Sequence, residues 1–164
     1  MAEALLSISF LDLNAADRMQ EIEAASGAPS PWSKQLFLNE FLNTTSKIYG
    51  AALEGVGVVG FLIVHLVLDE ADISNFAVLS QFQGRGIGRA LLQKMIDDVR
   101  EGGAKVVTLE VRENNISARH LYESLGFEVV SVRKGYYTDT GEAAILMNLT
   151  LSESFYIHKK DTHF

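Results

Sequence analysis

The stretch Gln83-Gly84-Arg85-Gly86-Ile87-Gly88 runs directly into Arg89-Ala90-Leu91-Leu92-Gln93-Lys94-Met95-Ile96-Asp97-Asp98-Val99, and this junction decides the fold. Leu91, Leu92, Met95, Ile96 and Val99 recur at helical spacing, so the second part reads as an amphipathic helix, stopped by Gly102-Gly103. Ala71 to Leu79, just before the glycines, reads as a strand. A glycine-rich turn between strand and helix lets the backbone come close to a ligand. Its amides and the helix N-terminus then face one point, where an anion is favoured. Arg85 and Arg89 add positive charge. The lysine and hydroxyl of a P-loop are missing, which argues against a nucleotide γ-phosphate with magnesium. Glycines alone leave two readings open, an anion cradle or a flexible connection.

A second cluster, Gly55-Val56-Gly57-Val58-Val59-Gly60, matches the dinucleotide fingerprint in letters only. That fingerprint needs a helix straight after it and an acidic residue about 20 positions on. Here a valine-rich strand follows and no such acid stands at that distance, so the cluster reads as a hairpin turn.

Working outward, Leu5 to Phe10 reads as a strand and Ala15 to Ala25 as a helix ending near Gly27, with Pro29 and Pro31 breaking the chain. Ser33 caps a second helix with Leu36, Phe37 and Phe41 on one face. Lys47 to Glu54 and Val58 to Leu68 form a hairpin, and Asp69-Glu70 turns into the strand before the glycine loop. Val106 to Val111 is a strand. Asn114 or Asn115 caps a helix to Leu125, ended by Gly126. Phe127 to Lys134 and Ala143 to Leu149 close the chain as a strand pair. The order β-α-α-β-β-β-α-β-α-β-β predicts a mixed α/β sheet, neither a βαβ repeat nor a meander.

The 164 residues fit one domain, 1–164, with 150–164 as a tail. Apolar residues make up 48% and charged residues 21%, as in ordinary soluble proteins. The absence of cysteine rules out disulfides, thiolate metal sites and a cysteine acyl-enzyme. A net charge of −7 disfavours a nucleic-acid binder and suits a basic partner, or simply aids solubility. MAEALLSISF lacks the basic start of a secretory signal. The run Val56 to Leu68 falls short of the roughly 20 residues of a spanning helix. These features predict a cytoplasmic protein with no membrane partner. His65, His120, His158 and His163 show no ligand spacing, so no metal is expected, and His65 reads as structural.

With these elements in place, Gln83-x-x-Gly86-x-Gly88 matches the Q/R-x-x-G-x-G/A motif, and the chain resembles the GCN5-related N-acetyltransferase (GNAT) superfamily from about Leu5 to Leu149. Val67-Leu68-Asp69-Glu70-Ala71, Asn75-Phe76-Ala77-Val78, Gly88-Arg89-Ala90-Leu91-Leu92, Leu109-Glu110-Val111-Arg112 and Leu121-Tyr122-Glu123-Ser124-Leu125-Gly126-Phe127 look like its bacterial RimI-type branch. Pro31-Trp32-Ser33 and Tyr136-Tyr137 fit the same pattern. The resemblance implies the GNAT fold, with helices on both faces of a mixed sheet, and acetyl-CoA as cosubstrate. It implies acetylation of the N-terminal alanine of a small-subunit ribosomal protein, through that protein's basic N-terminal segment.

The resemblance also implies roles. Phe76, Ala77 and Val78 would run along the pantetheine arm, with the amide near Val78 on the thioester carbonyl. Gly84, Arg85, Gly86, Ile87, Gly88 and Arg89 would supply pyrophosphate contacts, and Asn115 a further cofactor contact. Glu110 would be the general base and Tyr122 the general acid. Two departures stand out. Leu79-Ser80-Gln81 lacks the proline often found before the glutamine, and Gly84 replaces a common arginine. Neither removes a backbone amide.

Direct attack by an amine needs its neutral form. An α-amine has a pKa of about 7.7–8.0 against about 10.4 for lysine, a difference worth about 3.4 kcal/mol. A carboxylate acting directly or through water therefore serves an α-amine more readily. Glu110 shares a strand face with Val106 and Thr108, which fits a catalytic carboxylate or a strand acid paired with an arginine. Tyr122 shares a helix face with Ala118 and Leu125, which fits an acid or a core tyrosine. Tyr136 and Tyr137 fit a peptide groove or hairpin packing, and Trp32 reads as packing. Lysine or small-molecule amines are the alternative acceptors. A non-catalytic acyl-CoA-binding module is the alternative from another class.

Overall fold

The computed structural model describes residues 3–151. Its strands are β1 (Leu6–Phe10), β2 (Ser46–Leu53), β3 (Gly57–Val67), β4 (Glu70–Val78), β5 (Val106–Arg112), β6 (Glu128–Arg133) and β7 (Ala144–Thr150). Its helices are α1 (Ala16–Ala25), α2 (Lys34–Leu42), α3 (Ile87–Glu101) and α4 (Ile116–Ser124). The elements follow the predicted order. The strands form one seven-stranded sheet, β1-β2-β3-β4-β5-β7-β6, antiparallel except where β4 meets β5. The tail, with His158 and His163, lies outside the described residues.

Side chains alternate across a strand, so neighbouring positions on β3 reveal what covers each face. A Cβ on Gly60 would lie 3.3 Å from Leu91 of α3. The ring of the next residue, Phe61, packs edge-on against Phe37 of α2 at 5.4 Å. Helices therefore cover both faces. This explains why β3 reads as a continuous apolar run rather than an alternating one. Met19 and Ile22 of α1 and Leu91, Leu92 and Met95 of α3 are fully buried in the resulting core.

Local chemistry sets the boundaries. Ser33 accepts from the Leu36 amide at 3.4 Å and starts α2. Between the two asparagines ahead of α4, Asn115 is the cap, accepting from the Ala118 amide at 3.3 Å. The strand predicted to reach Leu68 ends at Val67. Leu68 turns into the left-handed region at φ 55° with its side chain 99% exposed, and Val67 pairs with Glu70 across that tight turn. The decoy glycines behave as a hairpin: Gly55 and Gly57 have φ of 79° and 94° in the turn joining β2 to β3. His65 bonds Glu40 Oε2 at 2.7 Å, a structural contact between β3 and α2.

One irregularity in the sheet matters most. β4 and β5 pair in parallel from Glu70 with Val106 to Ile73 with Leu109, and there the pairing stops. β4 continues alongside β3 to Val78, and β5 continues alongside β7 to Arg112. The two strands part, leaving a wedge in the middle of the sheet. A bulge on the β3 side of β4, where Ile63 pairs with Asn75 but Val64 with Ile73, marks the same point. Bulges bend a strand and increase its twist.

Candidate active site

The wedge opens into a cleft of about 920 Å³. One wall is β4, from Ile73 to Val78. The other is β5, from Leu109 to Arg112. The glycine loop and the start of α4 close one end, and residues 26–29 between α1 and α2 lie along the rim.

The glycine loop is built for close approach. Gly86 is the N-cap of α3 at φ 81°, a conformation that costs a side-chain-bearing residue about 1–2 kcal/mol, and no side chain caps the helix. The first amides of α3 therefore have no capping partner, as an anion cradle requires. A Cβ on Gly88 would sit 3.0 Å from Phe76 Cζ, so glycine here lets the Phe76 ring close against the helix. Gln83 earns its place in the motif by a specific bond: its Nε2 donates to the Val78 carbonyl at 2.9 Å, tying the end of β4 to the loop. Where the proline is missing, Ser80–Phe82 forms a short 3-10 turn, and Ser80 Oγ donates to the Ala25 carbonyl.

Phe76, Ala77, Val78, Gly84, Gly86, Gly88, Arg89, Glu110, Asn115, Tyr122 and Tyr137 all line this one cleft. Arg85, Ile87 and Tyr136 do not. Arg85 lies over the Phe82 ring at 5.4 Å. Ile87 turns into the core at 4% exposure, leaving only its backbone available at the helix start. Tyr136 is exposed, edge-on to Tyr137 and beneath Arg133. The Arg89 guanidinium is bound to Ser124 Oγ at 2.7 Å. The Asn115 carbonyl oxygen is used in capping α4, which leaves its NH₂ group for the cleft.

Glu110 is exposed on β5, on the face of Val106 and Thr108. Its partner is not an arginine: the Tyr137 hydroxyl donates to its Oε1 at 3.1 Å. Burial, and then the adjacent Glu110 carboxylate, push the Tyr137 pKa up to about 12. The Tyr137 ring is in turn held by Arg112, whose guanidinium lies 3.9 Å from the ring centroid. Arg112 makes two 3.0 Å bonds to Asp139 and lies 3.6 Å from Glu142. Hydrogen bonding to Arg112 lowers the Asp139 pKa.

Tyr122 is 6% exposed, with its ring against Phe76 and Phe127 at 6.4 and 5.7 Å. Burial alone raises its pKa above the ordinary tyrosine range. Trp32 packs on Phe37 at 5.4 Å. Among the described residues, no three His, Asp or Glu side chains cluster to hold a metal, and no helix is long and apolar enough to cross a membrane. Glu23, Asn75, Arg112 and Asp139 also shape the site; Asn75 and Arg112 stand in segments that carry the resemblance, but the sequence assigns a role to none of the four. Arg112 stands two residues after Glu110 on the same face, and that spacing was the available signal.

A parallel pair parted beside a glycine loop at a helix start, with a carboxylate on the far wall, is a cleft able to hold an anionic cosubstrate against a base. The acetyltransferase (GNAT) family model matches residues 14–127, and the chain belongs to this family. It is an N-acetyltransferase whose acetyl donor is acetyl-CoA. The [ribosomal protein bS18]-alanine N-acetyltransferase of Escherichia coli (strain K12) is 41% identical over 125 residues, covering 74% of this chain and 82% of that one. The crystal structure of the ribosomal-protein-S18-alanine N-acetyltransferase from Escherichia coli superposes with a TM-score of 0.84 at 34% identity, covering 98% of this chain and 100% of the other. The PaiA N-acetyltransferase from Thermoplasma acidophilum, crystallised with coenzyme A, shares the fold at a TM-score of 0.75 and 19% identity, over 89% of this chain and 99% of that one.

Proposed function

We propose that this enzyme acetylates the N-terminal α-amine of ribosomal protein bS18, at an alanine followed by a basic segment, in the cytoplasm. The observation that carries the reading is the parting of β4 from β5. It sets a strand with unpaired backbone opposite Glu110, so that a thioester laid along one wall meets an amine arriving from the other. The net charge of −7 favours encounter with a basic chain.

Acetyl-CoA, when bound, supplies an acetyl group activated as a thioester. The backbone of Phe76, Ala77 and Val78 aligns its pantetheine arm, and the amides of the loop from Gly84 to Arg89 hold the pyrophosphate. Glu110 takes the proton from the α-ammonium directly or through one water, leaving nitrogen free to attack the carbonyl carbon. As the new C–N bond forms and the C–S bond breaks, Tyr122 gives its proton to the departing sulfur; the nitrogen then gives up its second proton, which restores the phenol, and Glu110 releases the first to solvent. A phenol held protonated so firmly by burial is a weak acid, so its help is smaller than that of positioning. The route passes through no covalent acyl-enzyme.

The test is mass spectrometry of synthetic peptides incubated with the purified protein and acetyl-CoA. A peptide with the bS18 N-terminus gains one acetyl group at its α-amine. If that peptide stays unmodified while lysine side chains or small amines are acetylated, the acceptor assignment is wrong.

A further inference from the structure

We infer that Glu23 is a positioning residue for the acceptor: its buried carboxylate fastens the loop of residues 26–33 to Asn75 on the cofactor strand. The inference rests on the acceptor reading given above.

Glu23 is 5% exposed and is the one charged side chain counted as buried among the described residues. It sits on α1 beside Met19 and Ile22, both fully buried. Neither oxygen meets a cation. One accepts from the Trp32 backbone amide at 2.7 Å, and the other from Asn75 Nδ2 at 2.9 Å. A carboxylate buried without a cation is costly, and an apolar residue of similar size would pack α1 better. Its placement makes sense in terms of what it joins.

Asn75 is the first link. With its NH₂ turned toward Glu23, its carbonyl oxygen faces the other way and accepts from the Phe76 amide at 2.8 Å. The carboxylate thereby orients the side chain at the bulge where β4 leaves β5. Phe76 next to it packs on Gly88 and Tyr122. Trp32 is the second link. It stands at the far end of the loop that begins at Ser26, and Ser26, Gly27, Ala28 and Pro29 line the cleft. Ser80 Oγ holds the start of that loop at Ala25, and Ser30 Oγ reaches Asp139 at 3.3 Å across the cleft. Glu23 holds its end. The loop is pinned at three points, and the Glu23 pin alone runs to the strand that carries the cofactor wall.

A group with two acceptor oxygens is needed because both of its partners are donors. In Glu23→Gln the one remaining oxygen can accept from the Trp32 amide or from Asn75 but not from both, and the new NH₂ group faces a donor at the other, so the link between the loop and β4 is broken at one end. The substitution is nearly isosteric, so it cuts the link to β4 while sparing the helix.

The experiment is steady-state kinetics with the bS18 N-terminal peptide and acetyl-CoA, on the full chain, for wild type, Glu23→Gln, Asn75→Ala and the double variant, each with its Tm. We expect Glu23→Gln to raise the peptide KM about tenfold. Its acetyl-CoA KM should stay within about twofold and its Tm within a few degrees. Asn75→Ala should raise the peptide KM as well, and the double variant should be no worse than the poorer single one, because the two residues form one link. An unchanged peptide KM in Glu23→Gln overturns the inference. So does a loss in which both KM values and the Tm move together, or strict additivity in the double variant. A wild-type protein that leaves the peptide unmodified removes the acceptor reading itself. A wild-type protein that modifies it no better than Glu23→Gln removes this inference alone.

Discussion

Tyr137 reaches from the connection between β6 and β7 to donate a 3.1 Å hydrogen bond to Oε1 of Glu110. The two residues lie 27 positions apart in sequence, and Arg112 stacked on the phenol ring holds them together. One carboxylate oxygen is thus fixed while the other is left to the cleft. Tyr137, which the sequence leaves open between a peptide groove and hairpin packing, is the hydrogen-bond partner of the proposed base.

Glu110→Gln keeps the size of the side chain and an acceptor for Tyr137, but it cannot take a proton. Turnover should fall by about 10²–10⁴-fold. Acetyl-CoA affinity, measured by calorimetry, should be unchanged. A loss of cofactor binding instead would make the carboxylate structural.

Tyr137→Phe keeps the ring under Arg112 and removes only the hydroxyl. Losing a hydrogen bond to a charged group should lower kcat by roughly tenfold, with little change in peptide KM. A large rise in peptide KM with kcat intact would instead make Tyr137 a direct acceptor contact.

The same variant tests the ionisation of Tyr137. Its pKa lies above the ordinary 10.0, at about 12. The neutral phenol is the form favoured by folding, so its contribution to stability is complete below about pH 10 and is lost as pH rises through 12. Ultraviolet titration of phenolate absorbance should show a step near pH 12 in the wild type that is missing from Tyr137→Phe, while the still later ionisation of buried Tyr49 and Tyr122 remains.

Tyr122→Phe removes a hydroxyl whose raised pKa has burial as its only cause, with no hydrogen-bonding group contributing. No buried protein group is orphaned, so Tm should hold within about 2 °C. Turnover should fall by about 10²-fold, the lower end for acid–base catalysis.

Gly86→Ala forces a methyl group onto a residue at φ 81°. The strain of about 1–2 kcal/mol should lower Tm by several degrees. It should also raise the acetyl-CoA KM, because the helix start proposed to face the pyrophosphate shifts. Thermal unfolding and initial-rate kinetics check the two effects separately.

Much of this architecture was legible in the sequence because periodic patterns act locally. The spacing from Leu91 to Val99 defines α3 whatever it packs against, and the valine-rich run at Val58 rejects the dinucleotide reading of Gly55 to Gly60. Composition left the cap of α4 shared between Asn114 and Asn115, since either side chain can accept a bond; the backbone decided it. The gap between β4 and β5 was not legible. It depends on the register between Ile73 and Leu109, 36 positions apart, and nothing local to either strand records it. Glu23 was hidden for a related reason. On a helix it looks like any polar-face residue until Asn75, 52 positions away, arrives beside it.

The four parallel pairs from Glu70–Val106 to Ile73–Leu109 join the first four strands of the sheet to the last three. β2 to β4 form antiparallel pairs that close over short turns, and β1 joins them across the segment holding α1 and α2, so all four can assemble early in synthesis. The opposite edge of β5 stays unfilled until β7, the last strand among the described residues, slides between it and β6. A nascent or truncated chain ending before Ala144 would therefore carry a finished glycine loop but lack the strand that seats Glu110. The cleft is in this sense a late product of synthesis: its β5 wall is complete only when the chain through Thr150 has left the ribosome.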